Sequence, residues 1–295
     1  MTVIEGIIER NGMRVTNKHG LPQVVVDAVL ADPYTGGGDI STTKLIDAPQ
    51  IKVLGSQYKD QITTDVSDRV WSLLGQAVHT VLERAGIRAQ GMVAEHRFFA
   101  EYNGWTLSGQ ADVLDLDVGA IRDYKMTTVF KAKGNHAWNR QLNVLRWLAM
   151  QNGYVINRLE IIAIFRDWRK TEAEKNPDYP QAAIQVIDIP VWDDDVLEQY
   201  LDERVRLHQA AARGEPVPCS DEERWKDDDK WAIIKPGNTR ALKVLDAQPE
   251  PEAVPAGYVV QHRPGQYKRC QHYCDVAAWC PQWAADSGTP EPEEG

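Results

Sequence analysis

Apolar residues recur at helical spacing from Val66 to Ala85, through Val70, Leu73, Leu74, Ala77, Val78, Val81 and Leu82, and Gly86 follows as a stop signal. The period then shortens. Val93–Tyr102 predicts a strand, Asn103 and Gly104 a tight hairpin turn, and Trp105–Leu116 and Gly119–Thr127 two further strands. The helical period returns over His136–Gln151, with Trp138, Leu142, Leu145, Leu148 and Ala149 along one side and Asn152-Gly153 at its end. Arg158–Arg166, carrying Ile161, Ile162, Ile164 and Phe165, predicts a fourth strand. The order is helix, three strands, helix, strand, an α/β core.

The flanks speak less clearly. Val24–Leu30 fits a strand or a short helix, Gly36 to Gly38 a flexible break, and Ser41–Leu54 has helix-start character beside Lys44 and Lys52. Asp194–Gly214 predicts another helix, whereas Pro216–Trp283 reads as irregular and cysteine-bearing. The expected organisation is an N-terminal region (1–65) packing on the core, the core itself (66–214), a cysteine-containing C-terminal region (215–285) and a disordered acidic tail (286–295).

The chemistry concentrates between residues 109 and 125. A hairpin centred between Asp117 and Val118 sets Asp112 directly opposite Asp123. Opposed side chains on one sheet face have Cβ atoms about 4.5–5.5 Å apart, where like charges destabilise. Lys125, two residues beyond Asp123, shares that face. Two carboxylates forced together beside an ammonium make a poor scaffold and a good site for Mg²⁺ or Mn²⁺, the ions that support phosphodiester hydrolysis. Lys125 would hold the attacking water or stabilise charge in the transition state. An Asp-x-Lys triplet alone is an ordinary surface pattern, and the opposed carboxylate is what distinguishes this one.

Four further groups join the candidate list. His79, one position off the apolar stripe of its helix, either bounds the core or offers an imidazole suited to Mn²⁺, and Gly75 one turn earlier would admit a close backbone. Glu95 is a further metal ligand or an exposed carboxylate, and Gln141 contacts the site or borders the core beside Trp138 and Leu142. Arg166, Trp168, Arg169 and Lys170 interleave basic and aromatic groups as single-stranded DNA binding requires, and as a solvated turn also would.

An apolar content of 43% supports a substantial core, while 33 basic against 43 acidic residues give a net charge of −10. That balance excludes a non-specific DNA coat. It does not exclude a nuclease, because part of the acid lies in the tail and in Asp227–Asp229, and metal ions neutralise an acidic cleft. No leader pattern and no run of eighteen apolar residues occurs, so the expectation is a soluble cytoplasmic protein without membrane contact. Cysteines in that compartment are reduced, which ranks metal binding above disulfides. Cys270, Cys274 and Cys280 form C-x3-C-x5-C with Cys219 far upstream, a set that suits a 4Fe–4S cluster, a structural zinc or unligated thiols. With all four positions filled, either metal group would be a structural clamp.

His79, Gly109-x-x-Asp112, Asp123-x-Lys125 and Gln141 resemble, in order and in predicted element, the RecB-like branch of the PD-(D/E)xK nuclease superfamily. The late cysteine triplet is similar to that of its iron–sulfur members, which include the CRISPR-adaptation exonucleases and AddB-type nucleases. The segments Pro218–Trp225 and Arg269–Cys280 resemble phage-encoded members. The resemblance implies a restriction-endonuclease-like core and a metal-dependent DNA exonuclease of phage recombination or DNA processing, in a bacterial host cytoplasm. It further implies metal ligation by His79, Asp112, Asp123 and the Tyr124 carbonyl, catalysis by Lys125 and assistance from Gln141. A recombination or helicase partner is compatible with it. Because Cys219 follows the core, a cluster would close a local C-terminal loop. A non-catalytic DNA- or partner-binding protein of the same fold, or an endonuclease of the superfamily, stands as the alternative.

Overall fold

Val24–Leu30 is helical, and residues 92–127 form three strands around two tight turns, in a computed structural model that describes residues 2–4, 6–10, 13–31, 37–86, 90–132 and 136–288. The elements in chain order are β1 (Thr2–Ile4), β2 (Ile7–Arg10), β3 (Met13–Thr16), α1 (Gln23–Leu30), β4 (Ile40–Ser41), α2 (Thr42–Leu45), α3 (Pro49–Gln57) and β5 (Thr64–Asp65). Next come α4 (Val70–Gly86), β6 (Met92–Tyr102), β7 (Trp105–Asp115), β8 (Ala120–Thr127), α5 (His136–Gln151), β9 (Arg158–Phe165), α6 (Lys170–Ala173), β10 (Ile184–Ile189) and α7 (Asp194–Ala212). The chain closes with β11 (Lys230–Ile234), β12 (Lys243–Leu245), β13 (Val259–Arg263), α8 (Lys268–His272) and α9 (Pro281–Ser287). Two compact units result, Met1–Pro49 with Asp60–Glu215, and Gln50–Lys59 with Pro216–Gly295.

The first unit holds two sheets. β1, β2, β3 and β5 form a four-stranded sheet whose Val15 packs with Val26, Val29, Leu30 and Val66 in a small core. The N-terminal residues thus have a sheet of their own, which the weak signals over 1–65 did not predict. The larger sheet runs β10-β9-β8-β7-β4, with β6 along the other edge of β7. β6 and β7 form a long hairpin from Tyr102↔Trp105 to Met92↔Asp115. β8 pairs with β7 only from Asp115↔Ala120 to Val113↔Arg122, then leaves it to run parallel with β9 as far as Thr127↔Phe165. The edge of β7 that β8 vacates is taken further back by β4, at Leu107 and Ser108. The sheet therefore forks between Asp112 and Asp123.

One helix seals the core face behind that fork. Leu142, Leu145 and Leu148 of α5 pack with Ala111, Ile121, Leu159 and Ile161 of the sheet and with Leu197, Leu201 and Val205 of α7. Gly109 permits the approach: a Cβ there would sit 2.5 Å from Leu145 Cδ2 and 2.8 Å from Leu148 Cδ1. The first element of the Gly109-x-x-Asp112 pattern is thus a packing requirement. Among the described residues nothing lies within 4 Å of a Cβ at Gly75 on α4, so none of them makes the close backbone approach expected there.

In the second unit β12, β11 and β13 form a three-stranded antiparallel sheet within the segment expected to be irregular. The helical stretch Gln50–Gln57, expected to belong with the N-terminal region, is part of this unit: Tyr58 stacks on Trp279 at 5.2 Å between ring centroids. Asp286, expected to begin a disordered tail, lies in α9 and pairs with Arg224, and the rest of that tail from residue 289 is outside the described residues. No helix of the described residues is long and apolar enough to cross a membrane.

Candidate metal centre

The β7–β8 register, carried one residue past Val113↔Arg122, sets Asp112 against Asp123 as the sequence pattern predicts. At that point the ladder stops, and a side chain takes over from the backbone: Tyr124 N–H donates to Asp112 Oδ2 at 2.7 Å. On the other edge of β7, the β6 register skips Glu95 between Ala94↔Val113 and His96↔Ala111. Glu95 has φ 51°, a left-handed conformation rare outside glycine, and it sits in the position facing Asp112. Three carboxylates, one per strand, thus form a row across β6, β7 and β8.

Side chains on the flanking helices complete the cluster. His79 of α4 places Nδ1 3.5 Å from Asp112 Oδ2 and 3.7 Å from Glu95 Oε1, and its ring meets the edge of Tyr124 at 5.9 Å. His79, Glu95 and Asp112 each present a ligand atom within 4.8 Å of the others, the separation a single cation needs. From α5, Gln141 Nε2 donates to Asp123 Oδ1 at 3.1 Å. Lys125 Nζ stands 2.7 Å from Asp123 Oδ2. That oxygen is buried and, among the described residues, accepts no hydrogen bond of proper direction, so the ammonium neutralises it without satisfying it.

The electrostatics match a site built for positive charge. Burial, reinforced by the neighbouring Asp123 charge, pushes the Asp112 carboxyl up from 3.8 to about 7. The Glu95 carboxylate, followed by the charges of Asp112 and Asp123, raises His79 above its ordinary value. The closed end of the same hairpin shows the contrast. There Arg122 bonds Asp115 and Glu160 at 2.6 Å each and holds Asp115 below the usual carboxylate range. Acidic side chains at the closed end have a guanidinium, while at the fork the acid exceeds the base. Among the described residues a single cation fits the imidazole of His79 and the carboxylates of Glu95 and Asp112, with the Asp123–Lys125 pair beside them.

Sequence reasoning missed the support behind Glu95. Gln110 Nε2 donates to Glu95 Oε2, and Arg97 donates in turn to Gln110 Oε1. The signal was available in the period of two, since Gln110 precedes Asp112 by two residues on one strand face. The basic–aromatic quartet after β9 divides. Trp168 packs against the core with Nε1 donating to Pro180 O at 2.7 Å, Lys170 lies 3.9 Å from Glu174, and the Arg169 backbone N–H bonds the Tyr179 hydroxyl. Arg166 alone is exposed against an aromatic face, its guanidinium 3.9 Å from the ring centroid of Trp71 on α4.

The second unit gathers its four cysteines around one cavity, together with Gln50, Ile51 and Leu54 of α3 and with Arg224, Val276 and Gln282. Gln282 clamps the Cys219 backbone through two 2.9 Å bonds, and Arg224 Nε donates to Cys270 Sγ at 3.5 Å. Burial pushes the Cys219 thiol up to about 12 and raises Cys274 as well, so thiolates here call for a compensating cation. Residues of α3 line the cavity beside the cysteines, so its wall is not the purely local C-terminal loop expected from the position of Cys219.

No protein-family model and no curated protein matches the chain. Among solved structures, the crystal structure of SSO0001 superposes with a TM-score of 0.48 and 16% identity, covering 69% of this chain and 90% of that one. A phage-related exonuclease from Haemophilus somnus 129PT superposes with a TM-score of 0.29 and 14% identity, covering 65% and 83%. The functional reading therefore rests on the side chains themselves.

Proposed function

We propose that the protein is a metal-dependent deoxyribonuclease, an exonuclease serving phage DNA recombination or processing. The observation that carries this reading is the fork, where His79, Glu95 and Asp112 bring ligand atoms within 4.8 Å of one another beside the Asp123–Lys125 pair. His79, Glu95, Asp112 and Asp123 would hold Mg²⁺ or Mn²⁺, with the Tyr124 carbonyl adjacent to Asp123 in the chain. Such an ion supplies Lewis-acid stabilisation of a phosphate and lowers the pKa of a water.

The chain's own residues supply the rest. Gln141 fixes one oxygen of Asp123, which leaves the other facing Lys125. Lys125 brings an ammonium, 27% exposed at its side chain, to the Asp123 end of the row, where it can orient the attacking water or meet charge developing on a phosphate oxygen. Gln110 and Arg97 hold Glu95 against the repulsion of its neighbours.

In the second unit, the proposed occupant of Cys219, Cys270, Cys274 and Cys280 is a 4Fe–4S cluster acting as a clamp. A structural zinc, the alternative, usually shows two short CxxC-like pairs, whereas this chain has one cysteine and a clustered three.

The test is digestion of end-labelled linear and circular DNA under Mg²⁺ and Mn²⁺ titration, with wild type and Lys125→Ala. The expected result is metal-dependent release of nucleotides from linear ends, lost in the variant. Equal activity of the two proteins would remove Lys125 from the reaction. Cutting of circles would make the protein an endonuclease.

A further inference from the structure

α4 carries a second feature that the metal centre does not use. Trp71 is 57% exposed, and among the described residues no hydrogen bond explains its position on the surface. The Arg166 guanidinium lies over its ring at 3.9 Å and pairs with no carboxylate among the described residues. An exposed indole with an arginine laid over it is the combination on which nucleobases stack while the cation meets the backbone phosphates. Charge selects the occupant: an arginine without a carboxylate partner suits a polyanion.

Two independent rulers place this pair relative to the fork. Trp71 precedes His79 by eight residues on one helix, about 12 Å along its axis. Arg166 donates its backbone N–H to Thr127 O at the end of β8, and Thr127 lies four residues past Asp123, about 13 Å along the strand. At a rise of about 3.4 Å per stacked nucleotide, that separation is three to four nucleotides.

We propose that Trp71 and Arg166 form a subsite that binds single-stranded DNA three to four nucleotides from the phosphate at the metal centre. The proposal deepens the deoxyribonuclease reading and rests on it for the identity of the substrate. In a duplex the base faces are already stacked, so an indole has no partner there. The subsite therefore favours single strands and frayed ends.

Two measurements test it. The first is equilibrium binding of labelled oligo(dT) in EDTA, which does not require hydrolysis. Trp71→Ala is expected to lose about tenfold or more in affinity for an eight-nucleotide strand. Trp71→Phe is expected to restore most of it, and Arg166→Gln to lower the slope of log affinity against log salt by about 0.7. The second is KM against length from two to eight nucleotides with Mn²⁺. In wild type KM falls between two and about five nucleotides, whereas Trp71→Ala has a flat profile and an unchanged kcat on the shortest substrate. A protein that binds oligo(dT) through Trp71 without hydrolysing it would retain this subsite and refute the nuclease reading. Hydrolysis with Trp71→Ala binding and length dependence equal to wild type would retain the nuclease and overturn the subsite. A wild-type protein with no affinity for oligo(dT) would overturn it as well.

Discussion

Asp112→Asn should make the metal-free protein more stable while removing its response to metal. The carboxyl is pushed from 3.8 to about 7, chiefly by burial and then by Asp123. Above pH 7 that shift of about 3 units, at 1.36 kcal/mol each, is a penalty of about 4 kcal/mol on the folded state. The sign follows from linkage. Native Asp112 keeps its proton to about pH 7 while the unfolded chain releases it near 4, so metal-free stability declines as pH rises through that window. Asparagine removes the charge and keeps an oxygen for the Tyr124 N–H, but gives up the attraction to His79 at 3.5 Å. The net gain expected in EDTA at pH 8 is about 1–3 kcal/mol, shrinking toward zero at pH 4.5. Wild type with Mn²⁺ at 100 times its Kd should recover about 2.7 kcal/mol, and the variant far less. Urea unfolding of both proteins at the two pH values, with EDTA or Mn²⁺, measures each quantity. A variant less stable than wild type at pH 8 in EDTA, or one with an undiminished Mn²⁺ response, would refute the reasoning.

Other substitutions probe the frame. Gly109→Ala forces a methyl group against Leu145 and Leu148 and should destabilise the protein by about 1–3 kcal/mol in urea unfolding, with loss of Mn²⁺ affinity as the fork shifts. Asp65 accepts bonds from the Lys18 and Ser67 backbone N–H groups and from the Ser67 and Thr16 hydroxyls, and these hold its carboxyl far below the usual range. Its contribution is complete above pH 4 and is lost progressively as pH falls from there through the lowered native value, so Asp65→Ala should cost about 1–2 kcal/mol at pH 7 and less at each lower pH below 4. Anaerobic purification should give a brown protein with about four iron atoms per chain. Cys270→Ser should bleach it, whereas a colourless protein with stoichiometric zinc would contradict the cluster.

The parts of the molecule legible in the sequence are those whose logic is local. Asp112 faces Asp123 because a short turn leaves a hairpin one comfortable register, and α4 and α5 follow from period alone. What was not legible depends on distant partners. Glu95 reads in sequence as either a further ligand or an exposed carboxylate, and only the strand register and its φ of 51° set it in the position facing Asp112. β10 escaped notice because it is an edge strand whose Ile184 and Val186 are more than half exposed, which blurs the alternation. Trp168 belongs to an Arg-Asp-Trp-Arg run that suggests a surface, but the Pro180 carbonyl draws its indole onto the core. Arg166 finds its aromatic partner ninety-five positions away, on a helix whose exposed Trp71 looks in sequence like one more apolar residue.

The membership of α3 in the second unit has a consequence for synthesis. Ile51 and Leu54 emerge from the ribosome early, yet the residues that cover them in this unit begin at Pro216. At about 5–20 residues per second, the intervening residues 60–215 take on the order of ten to thirty seconds to make. Throughout that interval the first unit can fold while α3 is still without the residues that line its cavity in the second unit. The order of translation therefore completes the unit that carries Asp112 and Asp123 first and the cysteine unit last, and a nascent chain arrested near residue 215 would expose α3 as a handle for chaperones or proteases.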